Sequence, residues 1–293
     1  MTNVSKLALR ERARLIRSAV TRPVSADEQA GSEALESELR RSRRALRRTK
    51  RELRAANEKL REARGHIREG EVELAPEVVQ VIRRVREEHL TYLREPNLRD
   101  LAALVRDLER NEVPGLIIEA GTARGGSAIV MAAAKDAKRP MKVYDVFGMI
   151  PPPTDRDGED VHKRYAKISG GAAKGVGGDE YYGYRDDLYG EVLDSFERMG
   201  VPVQENHVEL VKGLFQDTIH LDQPVALAHL DGDWYESTMT CLQRIAPLVS
   251  PGGRIVLDDY YAWSGCRRAV DEYFTDNHDF KLEFRAKVHA VRS

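Results

Sequence analysis

Leu116-Ile-Ile-Glu-Ala-Gly-Thr-Ala-Arg-Gly-Gly-Ser127 is the stretch on which the reading of this chain turns. Five apolar or buried-type residues (Leu116 to Ala120) predict a short core strand. A glycine turn follows from Gly121 to Gly126. Small and apolar residues from Ser127 to Ala137 then predict a helix. A strand that feeds a glycine turn and a helix brings backbone N–H groups and a helix N-terminus up to a ligand. The glycines permit that approach because they carry no side chain. A dinucleotide-binding turn requires a second glycine where this chain has Ala123. The pattern that remains is Glu119-x-Gly121-x-x-x-Gly125.

Beyond this stretch, strands and helices alternate, which implies a mainly parallel, doubly wound α/β sheet. The expected strands are Leu116 to Ala120, Met141 to Val146, about His207 to Val211, Val225 to Leu230 and Arg254 to Leu257. Lys281 to Phe284 and Val288 to Val291 lie close enough together to predict an antiparallel terminal hairpin. Ligands of such sheets bind beyond the carboxyl ends of the strands. Glu119, Asp145, Asp231 and Asp258 stand at four of the five parallel strand ends, along one rim.

Two strand ends carry further acids, in Asp231-Gly-Asp233-Trp-Tyr235 and Asp258-Asp259-Tyr260. Asp231, Asp258 and Asp259 would repel one another unless a cation neutralised them. An all-oxygen set suits Mg²⁺, Ca²⁺ or Mn²⁺. The competing reading is that one or two of them cap the following helices.

The two ends of the chain differ in character. Of 293 residues, 41% are hydrophobic and 32% charged, and the net charge of −1 does not point to nucleic acid as a partner. Cys241 and Cys266 fit no metal or redox spacing. No apolar run is long enough to span a bilayer, so a soluble, cytoplasmic protein is expected. Residues 1–70 read as a helical leader. Leu39, Leu46, Leu53 and Leu60 recur every seven residues, a coiled-coil signature that allows a homo-oligomer through residues 32–68. Its second seam (Leu35, Ser42, Thr49, Ala56, Ala63) is small and polar, so a solvated or partner-dependent helix stands beside the coil reading. The arginines between Arg40 and Arg54 suit an anionic partner or a solvated face paired with neighbouring glutamates. No aromatic residue interleaves them, which argues against single-strand stacking.

Residues 71–293 read as the catalytic domain. Two helices within 71–115 are expected to cover the sheet, with Pro96-Asn97 between them and Asn97 capping the second. Residues 147–188 are too long for an ordinary connection. Their glycines and Tyr181, Tyr182 and Tyr184 suit a mobile lid with aromatic planes, with a disordered loop as the alternative. His229 is expected to be a packed core residue.

The acid-x-Gly turn is typical of class I methyltransferases, which bind S-adenosylmethionine (SAM) there. From about Leu90 onward the chain resembles the macrocin O-methyltransferase family of bacterial natural-product sugar methyltransferases. The resemblance rests on the Glu119 to Ser127 turn, Tyr144-Asp-Val-Phe-Gly-Met-Ile-Pro151, Pro153-Thr-Asp-Arg-Asp157, Val211-Lys-Gly-Leu-Phe-Gln-Asp-Thr-Ile219, His229-Leu-Asp-Gly-Asp-Trp-Tyr-Glu-Ser237, and Pro251-Gly-Gly before Asp258-Asp-Tyr260. The leader is not part of the pattern. The resemblance implies a class I, Rossmann-like fold and SAM- and Mg²⁺-dependent methylation of a hydroxyl on a deoxysugar or similar small-molecule glycone. It places the metal on Asp231, Asp258 and Asp259, and the general base on Asp233. It places SAM against Glu119, Gly121 and Ser127, with Thr122 and Gly125 of the same turn, Asp145 at the ribose, and Phe215 and Asp217 near the adenine. A catechol acceptor and a non-catalytic SAM-sensing scaffold are the alternatives. A nucleic-acid methyltransferase lacks its Asn/Asp-Pro-Pro-Tyr motif here.

Deletion of residues 1–70 is expected to leave residues 71–293 folded and to alter mainly assembly or partner choice; size-exclusion chromatography and cofactor titration of the truncated chain check this.

Overall fold

The computed structural model describes residues 73–293 and, before them, Ser42 alone, so the expected coil over 32–68 lies outside the described residues. The described chain opens with helices α1 (Pro76–Glu87) and α2 (Glu95–Arg110). Strand β1 (Leu116–Ala120), α3 (Gly126–Ala134) and β2 (Met141–Asp145) follow. Next come α4 (Glu159–Ser169), α5 (Leu188–Arg198), β3 (Val208–Lys212) and the single turn α6 (Phe215–Thr218). The rest is β4 (Val225–Leu230), α7 (Tyr235–Ile245), β5 (Val249–Leu257), α8 (Ser264–Phe274), β6 (Phe280–Phe284) and β7 (Val288–Arg292).

The seven described strands form one sheet in the order β3-β2-β1-β4-β5-β7-β6. The pairs among β1 to β5 are parallel, while β7 runs antiparallel to both β5 and β6. The expected terminal hairpin therefore exists, and its second strand enters the sheet between β5 and β6. The chain reverses between β1 and β4 in the middle of the sheet, which opens a crevice above their carboxyl ends.

Strand alternation divides the core in two. Ile117, Val143, Leu227 and Val256 face a cluster built with α1, α2, α3 and α5. Ile118, Ala120, Leu230, Ile255 and Leu257 face the opposite cluster with α7 and α8. β1 and β4 are buried at every position, as central strands of a covered parallel sheet must be.

The two covering helices differ from the sequence expectation at their junction. α1 stops at Glu87, well before Pro96, and Leu93 is buried in the connecting segment. α2 begins at Glu95, before Pro96, and Asn97 lies inside it rather than capping it. A proline in the first helical turn removes only an N–H that has no intrahelical partner, so it starts this helix instead of breaking it. The connecting segment then rests on α3: Gly126 N–H donates to the Leu90 carbonyl at 3.0 Å, and a Cβ on Gly126 would come within 2.7 Å of that oxygen.

Residues 147–188 are ordered by a small core of their own, made of Ile150, Val161, Ile168, Ala173, Tyr181 and Trp234. Trp234 Nε1 donates to the Pro151 carbonyl at 3.0 Å, and Asp157 accepts the Tyr235 N–H at 2.8 Å, which caps α7 from within this segment.

Leu98→Ala, at a fully buried position of α2, is expected to cost about 2–5 kcal/mol of stability, read as a lower urea midpoint with an unchanged slope.

Candidate active site

Gly121 has φ +88, and a Cβ there would stand 2.0 Å from the Asp231 carbonyl oxygen. Only glycine lets the tip of β1 lie against the tip of β4. The turn after it is tied to β2. Thr122 and Ala123 donate their N–H groups to Asp145 Oδ2 at 2.7 and 3.2 Å, and Phe147 N–H donates to Asp145 Oδ1 at 2.7 Å. Burial pushes the Asp145 carboxyl up, against these three hydrogen bonds. Both oxygens of the residue expected at the ribose thus serve the turn. Thr122 Oγ1, in contrast, is buried with no hydrogen-bond partner and is a free donor beside the turn.

Glu119, at the end of β1, is fully buried and accepts a short hydrogen bond from Ser127 Oγ. Its other oxygen lies 3.1 Å from His229 Nδ1, and His229 Nε2 lies 3.4 Å from Asp258 Oδ1. Burial opposes a charge on His229, but Glu119 and Asp258 flank it and lift its pKa to about 10. The histidine is buried as expected, yet it is a charged bridge rather than inert packing. Lys287, between β6 and β7, closes the series: its Nζ lies 2.5 Å from Asp258 Oδ2 and 2.9 Å from the Asp258 carbonyl. Against the cost of burial, Lys287 and His229 draw Asp258 down to about 2.

Asp231, Asp233 and Asp259 converge instead, with carboxylate oxygens all within 4.8 Å of one another. The convergent trio thus contains Asp233 where the resemblance implied Asp258, whose carboxylate is engaged by Lys287 and His229. Burial, then the charges of Asp259 and Asp258, pushes Asp231 well above the usual carboxylate range. Burial and Asp259 do the same to Asp233, while a Trp263 hydrogen bond and Arg164 oppose it. Asp259 is raised by burial and by Asp258. Asp233 has the left-handed backbone φ of +57 and donates its N–H to Asp259 Oδ2 at 3.0 Å. Such a conformation costs an L residue about 1–3 kcal/mol and clusters at functional sites.

Aromatic rings stand on the outer side of this group. Tyr181 and Tyr182 are 4.3 Å apart between centroids, Tyr182 meets Tyr92 edge-on at 6.3 Å, and Trp234 meets Trp263 at 5.7 Å. Phe215, at the start of α6, lies beside Gly232, 3.6 Å from where a Cβ there would stand. Asp217 is exposed on the same helix, and His162 is exposed on α4. Sequence reading missed Lys287, Asp157, Tyr92 and Trp263. Asp157 lay within a quoted motif; the other three carry no local signature.

The family profile described as Macrocin-O-methyltransferase (TylF) matches residues 87–285. The chain belongs to this family. Among its similar proteins is a Streptomyces olivaceus enzyme, 8-demethyl-8-(2,3-dimethoxy-alpha-L-rhamnosyl)-tetracenomycin-C 4'-O-methyltransferase, 33% identical over 183 residues. That match covers 60% of this chain and 64% of the relative's length. The mycinamicin III 3''-O-methyltransferase of Micromonospora griseorubida is 31% identical over 195 residues, covering 64% of this chain and 70% of that one. The solved structure of the O-methyltransferase NovP superposes with a TM-score of 0.58 at 28% identity, over 72% of this chain and 88% of that one. The calicheamicin methyltransferase CalS11 shares the fold at TM-score 0.53 and 18% identity, over 75% of this chain and 94% of that one. The fold of this TylF-family chain is the class I methyltransferase fold. Among the described residues, no helix is long and apolar enough to cross a membrane.

Because Asp231 and Asp233 are raised in the folded state, the cation-free protein gains from them a stability that is complete at acid pH and is lost as pH climbs through their elevated pKa values. A divalent cation removes that loss. The melting temperature should therefore fall from pH 5 to pH 8 without metal and recover on adding excess Mg²⁺; a Mg²⁺-insensitive profile counts against a cation among these acids.

Proposed function

We propose that this protein is a SAM- and Mg²⁺-dependent O-methyltransferase whose acceptor is a hydroxyl of a sugar or glycosylated small molecule. One observation carries the reading: three buried or half-buried carboxylates converge at the tips of β4 and β5, directly against the Gly121 turn. A sensor of SAM has no use for such a group. The tetracenomycin relative, an O-methyltransferase of a rhamnosyl compound, and the mycinamicin III 3''-O-methyltransferase support the same class.

The donor set fits a hard divalent cation, since it is all oxygen and repels itself without one. Asp231 and Asp259 would hold the ion. Asp258 is the third candidate ligand and joins them only by giving up its pair with Lys287. Bound there, the cation would supply Lewis acidity that lowers the pKa of an acceptor hydroxyl. The cofactor would fit the Gly121 turn, where Thr122 Oγ1 is a buried hydroxyl with no partner among the described residues and Ser127 ties the start of α3 to Glu119. SAM would supply the methyl group on an activated sulfonium.

The residues of the chain do the rest. Asp233, the remaining member of the convergent trio, is left to act as the base. It takes up the proton that the hydroxyl releases as its oxygen gains the methyl group. The rings of Tyr92, Tyr182 and Trp263 supply planes for a sugar and exclude water. Fixing acceptor and cofactor in line provides much of the acceleration.

Asp233→Asn is expected to bind S-adenosylhomocysteine and Mg²⁺ normally by calorimetry and to lose about 10²–10⁴-fold in kcat; turnover at the wild-type rate would remove the base assignment.

A further inference from the structure

The register of the last hairpin sets a lysine against Asp258. Leu257 at the end of β5 is paired, antiparallel, with Val288 at the start of β7. The residues one step outward, Asp258 and Lys287, therefore face each other beyond the strand ends. Val288 is fully buried, which pins this register, since a slip of one residue would turn it to the other face of the sheet. The Lys287 side chain is 20% exposed and that of Asp258 9%.

The ammonium holds Asp258 in two places. It donates to Oδ2 at 2.5 Å and to the backbone carbonyl of the same residue at 2.9 Å. Only the first bond occupies the carboxylate. An ammonium has three equivalent donors on a flexible stem, so Lys287 can release Oδ2 and remain tied to the carbonyl. His229 stands by the other oxygen at the longer distance of 3.4 Å. Asp258 directly precedes Asp259 in the chain, yet the carboxylates that converge are those of Asp231, Asp233 and Asp259. Two positions are thus open to the Asp258 carboxylate, one against the ammonium and one beside the trio. An ammonium and a divalent cation are alternative counter-charges for one carboxylate, and each repels the other.

We infer that Asp258 is exchanged between Lys287 and a divalent cation, and that Lys287 thereby sets how tightly the site holds the cation. The inference rests on the cation-dependent reading above and names a regulator of that same site. Lys287 is a positioning residue: it acts on Asp258 and not on the acceptor.

The test uses the full chain without SAM. The probe is Mn²⁺, an ion that favours oxygen ligands and whose free form is counted by electron paramagnetic resonance. Lys287→Met keeps an unbranched side chain and removes the charge; it is expected to bind Mn²⁺ about tenfold or more tightly than the wild type. Lys287→Gln leaves Asp258 a neutral donor, is expected to gain in the same direction, and carries the test if the methionine variant does not fold. Lys287→Arg keeps the charge and is expected to show no gain. A lysine with a merely structural role would, on removal, weaken Mn²⁺ binding or leave it unchanged. Asp258→Asn separates exchange from a simple change of field. In that background Lys287→Met is expected to lose most of its gain, because the exchanged carboxylate is gone. Unchanged or weaker binding in both neutral variants, or a gain that persists in the Asp258→Asn background, overturns this inference alone. Failure of the wild type and the variants alike to bind Mn²⁺ overturns the cation-dependent reading with it.

Discussion

Acid charge buried at the carboxyl edge of a parallel sheet has to be neutralised, and the centre of this protein is arranged around that need. Ser127, Glu119, His229, Asp258 and Lys287 run in contact from the cofactor turn across β1, β4 and β5 to the last hairpin. Two carboxylates alternate with two cations, so the series balances itself. Asp231, Asp233 and Asp259 converge at the tips of β4 and β5, where the charges of Lys287 and Arg164 offset them only in part. The site lies where the internal compensation stops. Clustered carboxylates inside a protein are costly, and burial and mutual repulsion hold the Asp231 and Asp233 carboxyls well above their usual range.

The architecture was legible because its signals are local. Continuous apolar runs marked β1 and β4, and glycine after Glu119 marked the turn. An acid at each strand end marked the rim, since a parallel sheet aligns all those ends by topology. What was not legible depends on side chains that meet across long sequence separations. His229 reads as core because a histidine in an apolar strand gives no hint that Glu119 and Asp258 flank it. Lys287 is an ordinary lysine in a hairpin turn until β7 is placed between β5 and β6. Pro96 misled because proline both breaks and begins helices, and the difference lies in whether its N–H was needed. The ordering of residues 147–188 also escaped composition: many glycines suggested mobility, but Trp234 and Tyr181 give the segment a core.

Two of the left-handed backbone positions fall where chemistry is assigned. Gly121 and Asp233 both have left-handed φ values, one because a side chain has no room against Asp231, the other to carry a carboxylate back towards Asp259. Aspartate tolerates this conformation better than most residues. The chain thus turns twice, at the tips of β1 and β4, and the cofactor turn and acid group share a wall.

That shared wall has a kinetic side. Glu119 and His229 touch across 110 residues of sequence, because β2 and β3 occupy the other flank of β1 and the chain returns beside it only with β4. Contacts of such separation form after the loop-closure entropy has been met, so they come late in folding. A chain with β1, β2 and β3 already joined still lacks a counter-charge for Glu119. Productive folding and assembly of the site are therefore one event, completed when the second half of the sheet docks and brings the histidine with it.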